Sequence, residues 1–353
     1  MKLGLGLGHL GSTEIGLPWD RILEAERLGF DTVWFAETWG HDCFVPMTWV
    51  AARTERIGLG TSIIQLHSRA PAVVANTMTT LDMLSGGRVR AVGIGLSGPQ
   101  VVEGWHGVPY GNPARRVAEY MQIMRKVWDR EVPLEFDGEE YQLPYTGPGS
   151  TGLGKPLKSI LHARRLPIYV GAIGPINVRN AAEYGDGWVS TRCPPQRMGV
   201  YDEYIDEGLR RAGKSRDDFE ISASTQVIVT DDVKAGLDSM KENLALYVGG
   251  MGARNKNFHN DQVRRFGYEE AAEQIQELFL SGRKQEAEEA VPDDLCDEIA
   301  LVGPPERIRE RYRAWEDSRI TMMNIMSSAQ PEAIHLMAEL TGSAKRLETG
   351  ASS

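Results

Sequence analysis

"RRLPIYVGAIGPINVRNAAEYGDGW" runs from Arg164 to Trp188 and carries one repeating unit of the fold. Residues 166–170 are a short apolar run, the pattern of a strand covered on both faces. Gly171-Ala172-Ile173-Gly174-Pro175 follows, with two glycines and then a proline at the first position of a helix. Residues 175–184 suit that helix, and Gly185-Asp186-Gly187 leads into a second apolar run at 187–191. Strand, tight turn, helix and strand in so few residues form a βαβ unit, which requires parallel strands. The glycines admit two readings. They supply the positive φ of a tight turn, or they bring backbone N–H groups at a helix start up to an anion.

Outward from this unit the alternation repeats. Strands are expected at 2–8, 31–37, 56–64, 88–95, 166–170, 187–191, 219–229 and 320–326. Helices are expected at 18–28, 43–55, 71–85, 112–129, 175–184, 195–213, 231–247, 304–317 and 331–341. Eight strands, each followed by a helix, predict an α/β protein built as a (β/α)8 TIM barrel, with a doubly wound open sheet as the competitor. Two excursions interrupt the pattern. Residues 130–165 read as a β-hairpin around Asp137-Gly138 plus a Gly/Pro loop, inserted after the fourth helix. Residues 248–300 read as a mostly helical insertion before the last βα unit, with a polar loop at 249–260. The chain, 1–353, is expected to be one barrel domain.

Composition narrows the function. At 353 residues and 41% hydrophobic content the chain can bury a large core. A net charge of −10 without a basic run argues against nucleic acid and anionic membranes as partners. No apolar run reaches the roughly 18 residues of a membrane span. The N-terminus lacks the apolar core of a secretory signal, so a cytoplasmic location is expected. Cys43, Cys193 and Cys296 are scattered, which suits a reducing compartment. Metal-site spacings are missing, and His41-Asp42-Cys43 reads as a helix cap, so no metal is expected.

Gly93-Ile94-Gly95-Leu96-Ser97-Gly98 spells GxGxxG after a strand. A dinucleotide site needs that motif to open directly into a helix, with an acidic residue about 20 positions on. Pro99, Pro109 and Pro113 argue against such a helix, so the segment is expected to be a loop at the strand end. In a barrel, polar residues at strand ends line the site. Glu37, Trp39 and His41 stand after the second strand, and Trp105 lies in the aromatic segment "WHGVPY". Arg254, Lys256 and His259 in the second excursion are candidates for an anionic group, or a polar surface.

"GFDTVWFAE", "ARTERIGLGTSI", "LPIYVGAIGP", "GDGWV" and "LVGPPERIRERY" occur in an order that resembles the bacterial luciferase-like monooxygenase superfamily. "LYVGGMGARNKNFHND" is similar to its coenzyme F420-dependent branch. The resemblance implies a barrel holding a flavin or deazaflavin at the strand C-termini. It implies a non-prolyl cis peptide at Ser62–Ile63, in "GTSII", with Thr61, Ser62 and Ile63 against the ring. It places Leu96, Ser97 and Gly98 on the ring's far side. The cofactor phosphate then falls to Gly171, Ala172, Ile173 and Gly174, with Thr191 nearby. Glu37 matches the family's acidic position, and Glu37 and His41 are the candidate catalytic acids or bases. Thr38 stands where the branch's sugar-phosphate dehydrogenases carry a catalytic histidine, which argues against that reaction. Trp39, Trp105, Arg254 and Lys256 are expected to meet substrate. The implied activity is hydride transfer between F420 and a small-molecule organic substrate. The alternatives are an FMN-dependent monooxygenase using O2, fed by a flavin-reducing partner enzyme, and a non-catalytic F420- or flavin-binding protein. Relatives imply a homodimer through the second and third helices.

Overall fold

The computed structural model describes residues 1–252 and 254–345. Eight parallel strands form the barrel: β1 (Lys2–Gly6), β2 (Thr32–Phe35), β3 (Gly58–Thr61), β4 (Val89–Gly95), β5 (Ile168–Gly171), β6 (Gly187–Thr191), β7 (Glu220–Thr225) and β8 (Met322–Met326). They lie in the order β3-β2-β1-β8-β7-β6-β5-β4, and β4 pairs back onto β3. The sheet is therefore closed, and the open doubly wound alternative is excluded.

Alternation along each strand divides two cores. On β2, Val33 and Phe35 join the large core between barrel and helices, while Trp34 joins a smaller cluster with Ala91, Tyr169, Val189 and Met322. Trp34 fits because its neighbouring strands carry glycine. A Cβ at Gly4 would stand 2.6 Å from Trp34 Nε1, and one at Gly60 would stand 2.7 Å from Trp34 Cζ3. The barrel is thus filled by side chains rather than left as a pore.

Helices Pro175–Tyr184 and Pro331–Thr341 fall on their expected bounds, each opened by proline. Three expectations need correction. The run at 219–229 ends in the barrel at Thr225, and Val227–Val229 pairs outside it with Leu301–Gly303. The run at 195–213 begins as a tighter 3-10 segment, Pro195–Tyr201, before the α-helix Asp202–Ala212. The run at 231–247 breaks into Val233–Asp238, Lys241–Ala245 and a wide turn, Leu246–Gly250. That turn lies against Phe279, which approaches the positions a Cβ would take on Gly249 and Gly250 to 2.5 and 2.3 Å.

The first excursion contains a small hairpin, Phe136–Asp137 with Gln142–Leu143. Glu119 pins its turn by accepting the N–H groups of Glu139, Glu140 and Tyr141. The second excursion is helical and has its own core, including Val248, Val263, Ile275 and Leu295. Among the described residues no helix is long and apolar enough to cross a membrane.

Glu26, in the helix Trp19–Arg27, ties that helix to the start of β3. Its Oε1 accepts from the N–H groups of Glu55, Arg56 and Ile57 at 2.9, 2.8 and 3.0 Å. Burial alone would raise its carboxyl pKa, but the three N–H groups outweigh burial and hold it below the usual value. A depressed folded pKa stabilises above the unfolded value, near ~4.3, and that contribution is lost as pH falls through the folded one. Glu26→Gln is therefore expected to cost about 1–2 kcal/mol near neutral pH. The gap to wild type should narrow below about pH 4, as read by denaturant unfolding at both pH values. An equal gap at both would refute the assignment.

Candidate active site

The barrel has a hollow at each mouth. The one at the N-terminal mouth, about 610 Å³, is bordered by charged groups such as Lys2 and Glu220, which pair with each other. The one at the C-terminal mouth, about 740 Å³, is bordered by strand ends, loops and the helical excursion. Barrel chemistry is assembled at the C-terminal face, so this second cleft is the candidate site.

Its floor is made by an irregularity in β3. The strand stops at Thr61 and resumes at Ile64–Gln65, and the Ser62–Ile63 peptide between them is cis. Gly60 pairs with Ala91 and Ile64 with Ile94, so four residue steps on one strand face three on the other. The extra residue is a bulge. Its neighbours are glycines because there is no room for a side chain. A Cβ at Gly93 would lie 1.8 Å from the Thr61 carbonyl oxygen. At Gly95 it would meet Ile63 Cδ1 at 3.0 Å, and at Gly171 it would meet Ile63 Cγ2 at 2.7 Å. Gly93 and Gly95, the first glycines of the GxGxxG string, thus serve the bulge. The expectation that no helix starts there is corrected: Pro99–Gly104 forms one directly after Gly98. It is six residues long. Ser62, Ile63, Leu96, Ser97 and Gly98 all border the cleft.

The opposite wall is the turn after β5. Trp188 Nε1 donates to the Ala172 carbonyl at 2.8 Å, and the Tyr201 hydroxyl donates to the Ile173 carbonyl at 3.1 Å. Both rings are buried and pack against each other with centroids 4.8 Å apart and planes tilted by 60°. A trans peptide points its C=O and N–H in opposite directions. Drawing these two carbonyls toward the core leaves the N–H groups of Ile173 and Gly174 facing the other way, toward the cleft. Among the described residues neither N–H donates to a protein acceptor. Gly174 caps the helix Pro175–Tyr184 at ordinary φ, and a Cβ there would meet nothing within 4 Å. The fold alone does not require glycine at 174, whereas a ligand pressed against the backbone would. Free amides at a helix start are an anion cradle. Gly171, Ala172, Ile173, Gly174 and Thr191 border the same cleft.

Trp39 and Trp105 border the cleft with exposed rings. Five expected residues do not. Thr61 spends its hydroxyl on the Gly93 carbonyl at 2.9 Å, inside the barrel wall. Glu37 sits behind the floor, where one oxygen takes the Arg69 guanidinium and the other the Gln65 N–H at 3.1 Å. Arg69 also holds Asp42, which accepts the Val45 N–H. His41 Nε2 accepts from the Leu10 N–H at 3.1 Å, so its proton lies on Nδ1, and His9 Nδ1 is 3.1 Å from the same nitrogen. Burial first, then His9, lowers the His41 pKa. Lys256 lies over the Tyr110 ring at 4.9 Å, and Arg254 is exposed. Neither borders the cleft.

Sequence reasoning passed over Trp188 and Tyr201, whose polar atoms set the cradle. "GDGW" displayed the first, but nothing in it says where an indole N–H points. Met251, Phe258 and His259 bring the helical excursion to the cleft as an outer wall.

Comparison with known proteins fits this architecture. The chain is 46% identical over 344 residues to a Mycobacterium tuberculosis protein provisionally named a coenzyme F420-dependent oxidoreductase, covering 96% of this chain and 99% of that one. It is 28% identical to the 5,10-methylenetetrahydromethanopterin reductase of Archaeoglobus fulgidus, over 87% and 88% of the two chains. Its fold matches the coenzyme F420-dependent tetrahydromethanopterin reductase of Methanopyrus kandleri with a TM-score of 0.74 at 24% identity, over 96% and 97%. Residues 18–322 match the profile described as luciferase-like monooxygenase, and the chain belongs to that family.

Proposed function

We propose that this chain is an F420-dependent oxidoreductase acting on a small organic substrate. The observation that carries the reading is the cleft itself, with an apolar ledge at Ile63 facing a cradle of amides at Ile173 and Gly174. That pairing suits a planar ring with a phosphorylated tail. The choice of deazaflavin over flavin is supported by the name of the 46% identical relative. When bound, F420 supplies a ring carbon that gives or takes a hydride. The protein's part is to bind, orient and exclude water. Ile63 would support one ring face, and Leu96, Ser97 and Gly98 would approach the other. Ile173 and Gly174 would donate to the phosphate. Trp39 and Trp105 would cover the outer opening over the substrate.

Glu37 and His41 are proposed as supports rather than as the proton-transferring groups. Glu37 fixes the resumed strand through Gln65 and holds Arg69, while His41 holds the loop after β1 through Leu10. We further propose a homodimer through the helices Phe44–Ala51 and Pro71–Leu84, where Val45, Trp49, Val73 and Leu84 are exposed. A separate cofactor-reducing partner enzyme would supply the reduced form.

Paired fluorescence titrations with F420 and FMN test the cofactor. Micromolar F420 binding with much weaker FMN binding is expected. The reverse preference, with O2 consumed, would make the chain a flavin monooxygenase, and tight binding without turnover would make it a carrier. Tyr201→Phe releases the Ile173 carbonyl and is expected to weaken F420 about three- to tenfold with the fold retained. Unchanged affinity would remove Tyr201 from the cradle. Glu37→Gln is expected to cost about 1–3 kcal/mol of stability. Both Glu37→Gln and His41→Ala should lower kcat less than about tenfold. A loss of about a hundredfold or more in a folded variant would restore the acid–base role.

A further inference from the structure

We propose that Arg192 forms an anion subsite just behind the outer wall of the cleft, between the end of β6 and the helical excursion, that takes a carboxylate or phosphate group of the substrate. Arg192 does not itself border the cleft, while Thr191 before it and His259 do. The proposal rests on the reading of the cleft as a site for cofactor and substrate together.

Arg192 follows Thr191 directly, and its backbone has φ 51. Non-glycine residues rarely occupy that region. The other described case, Arg130, closes the helix Pro113–Asp129 as a left-handed cap, an ordinary use. Arg192 caps no helix. Its conformation sends the guanidinium toward the excursion, where it lies over the Tyr247 ring at 3.8 Å and donates to Asn243 Oδ1 at 2.7 Å. Both partners are neutral. Among the described residues no carboxylate pairs with Arg192, whereas Arg69, Arg116 and Arg125 are each ion-paired. A partly buried cation without a counter-ion is costly. A chain of net charge −10 has carboxylates in plenty.

The surroundings suit an incoming anion. The Tyr247 ring meets His259 edge-on at 4.8 Å, and His259 borders the cleft. His259 Nδ1 is buried without a partner. Burial and the Arg192 charge push the His259 pKa down to about 3, so the imidazole is neutral and can donate one hydrogen bond. An arginine edge beside a neutral donor is a common way to hold a carboxylate or phosphate. The cofactor's own phosphate has separate donors in the turn after β5. The uncompensated charge at Arg192 is therefore assigned to the substrate.

The test uses the full chain. NMR of 13C-labelled histidines follows His259 while inorganic phosphate, and separately acetate, is added without cofactor. Fluorescence titration measures F420 affinity in parallel. A saturable His259 response to at least one anion is expected in wild type. Arg192→Gln should weaken it about tenfold or more, and Arg192→Lys should fall between, because lysine keeps the charge but loses the fork. F420 affinity should stay within about twofold. Phosphate held only by the turn amides would bind Arg192→Gln equally well and overturn the proposal. So would silence of His259 toward both anions in wild type. A tenfold loss of F420 affinity in Arg192→Gln would also overturn it, giving the guanidinium to the cofactor. If Arg192→Gln does not fold, Arg192→Lys and wild type decide by the same criteria. Failure of wild type to bind F420 would sink the cofactor reading alone, and the anion titration would still decide the subsite.

Discussion

One extra residue between Gly60 and Ile64 governs the shape of the cleft. Four residue steps face three on β4, so the surplus has to leave the sheet. It leaves toward the C-terminal mouth, because Gly93 yields space to the Thr61 carbonyl while Gly95 and Gly171 yield space to Ile63. Ile63 thereby becomes a ledge across the ends of β4 and β5. The strand that resumes at Ile64 needs anchoring, and Glu37 supplies it by accepting the Gln65 N–H. Arg69 then neutralises Glu37, and Asp42 shares Arg69. The floor of the site, three glycines and a buried ion-pair network are thus gathered around this local mismatch, which offsets an opposite register shift between Leu59 and Gly60, where one step faces two.

This chain of dependence explains which features were legible in the sequence. Alternating strands and helices could be read because each βα unit is specified locally, by apolar runs and by prolines at helix starts. The barrel followed from their number. Where the chain departs from local preference, the reading failed: the helix expected at 231–247 breaks at Ser239–Met240 and opens into the wide turn Leu246–Gly250, whose Gly249 and Gly250 meet Phe279, a residue some thirty positions away. The first two glycines of GxGxxG were conspicuous, but their cause lies on the neighbouring strand and only the fold reveals it. Glu37 and His41 stood at a strand mouth, which is where catalytic groups stand. Their hydrogen-bond partners, Gln65 and Leu10, are invisible in one dimension. Arg192 was visible in the sequence as one arginine among many, because its lack of a carboxylate is a fact about its surroundings.

The two walls of the cleft are built by different means. The inner wall belongs to the barrel and is made mostly of backbone, through the bulge after β3 and the turn after β5. The outer wall belongs to the helical excursion, with its own apolar core, and presents side chains. Backbone surfaces suit an occupant that stays the same, since they depend little on side-chain identity. A side-chain wall on a separately packed insertion can change without disturbing the barrel. On the proposed reading, the scaffold would hold the cofactor, and the substrate would meet both the addition and Trp39 and Trp105 of the barrel loops.

The carbonyl anchors have a thermodynamic consequence. Trp188 and Tyr201 belong to the main core, so the turn they hold is already set before any ligand arrives. Little ordering entropy remains to be lost on binding, and association should not wait on a slow rearrangement. The same link runs backwards. A ligand that binds only the intact turn favours the packed core by mass action, about 2.7 kcal/mol at a hundredfold excess over its dissociation constant. Core packing and cofactor occupancy then rise and fall together, and the resting fraction of folded protein in a cell would follow the supply of cofactor.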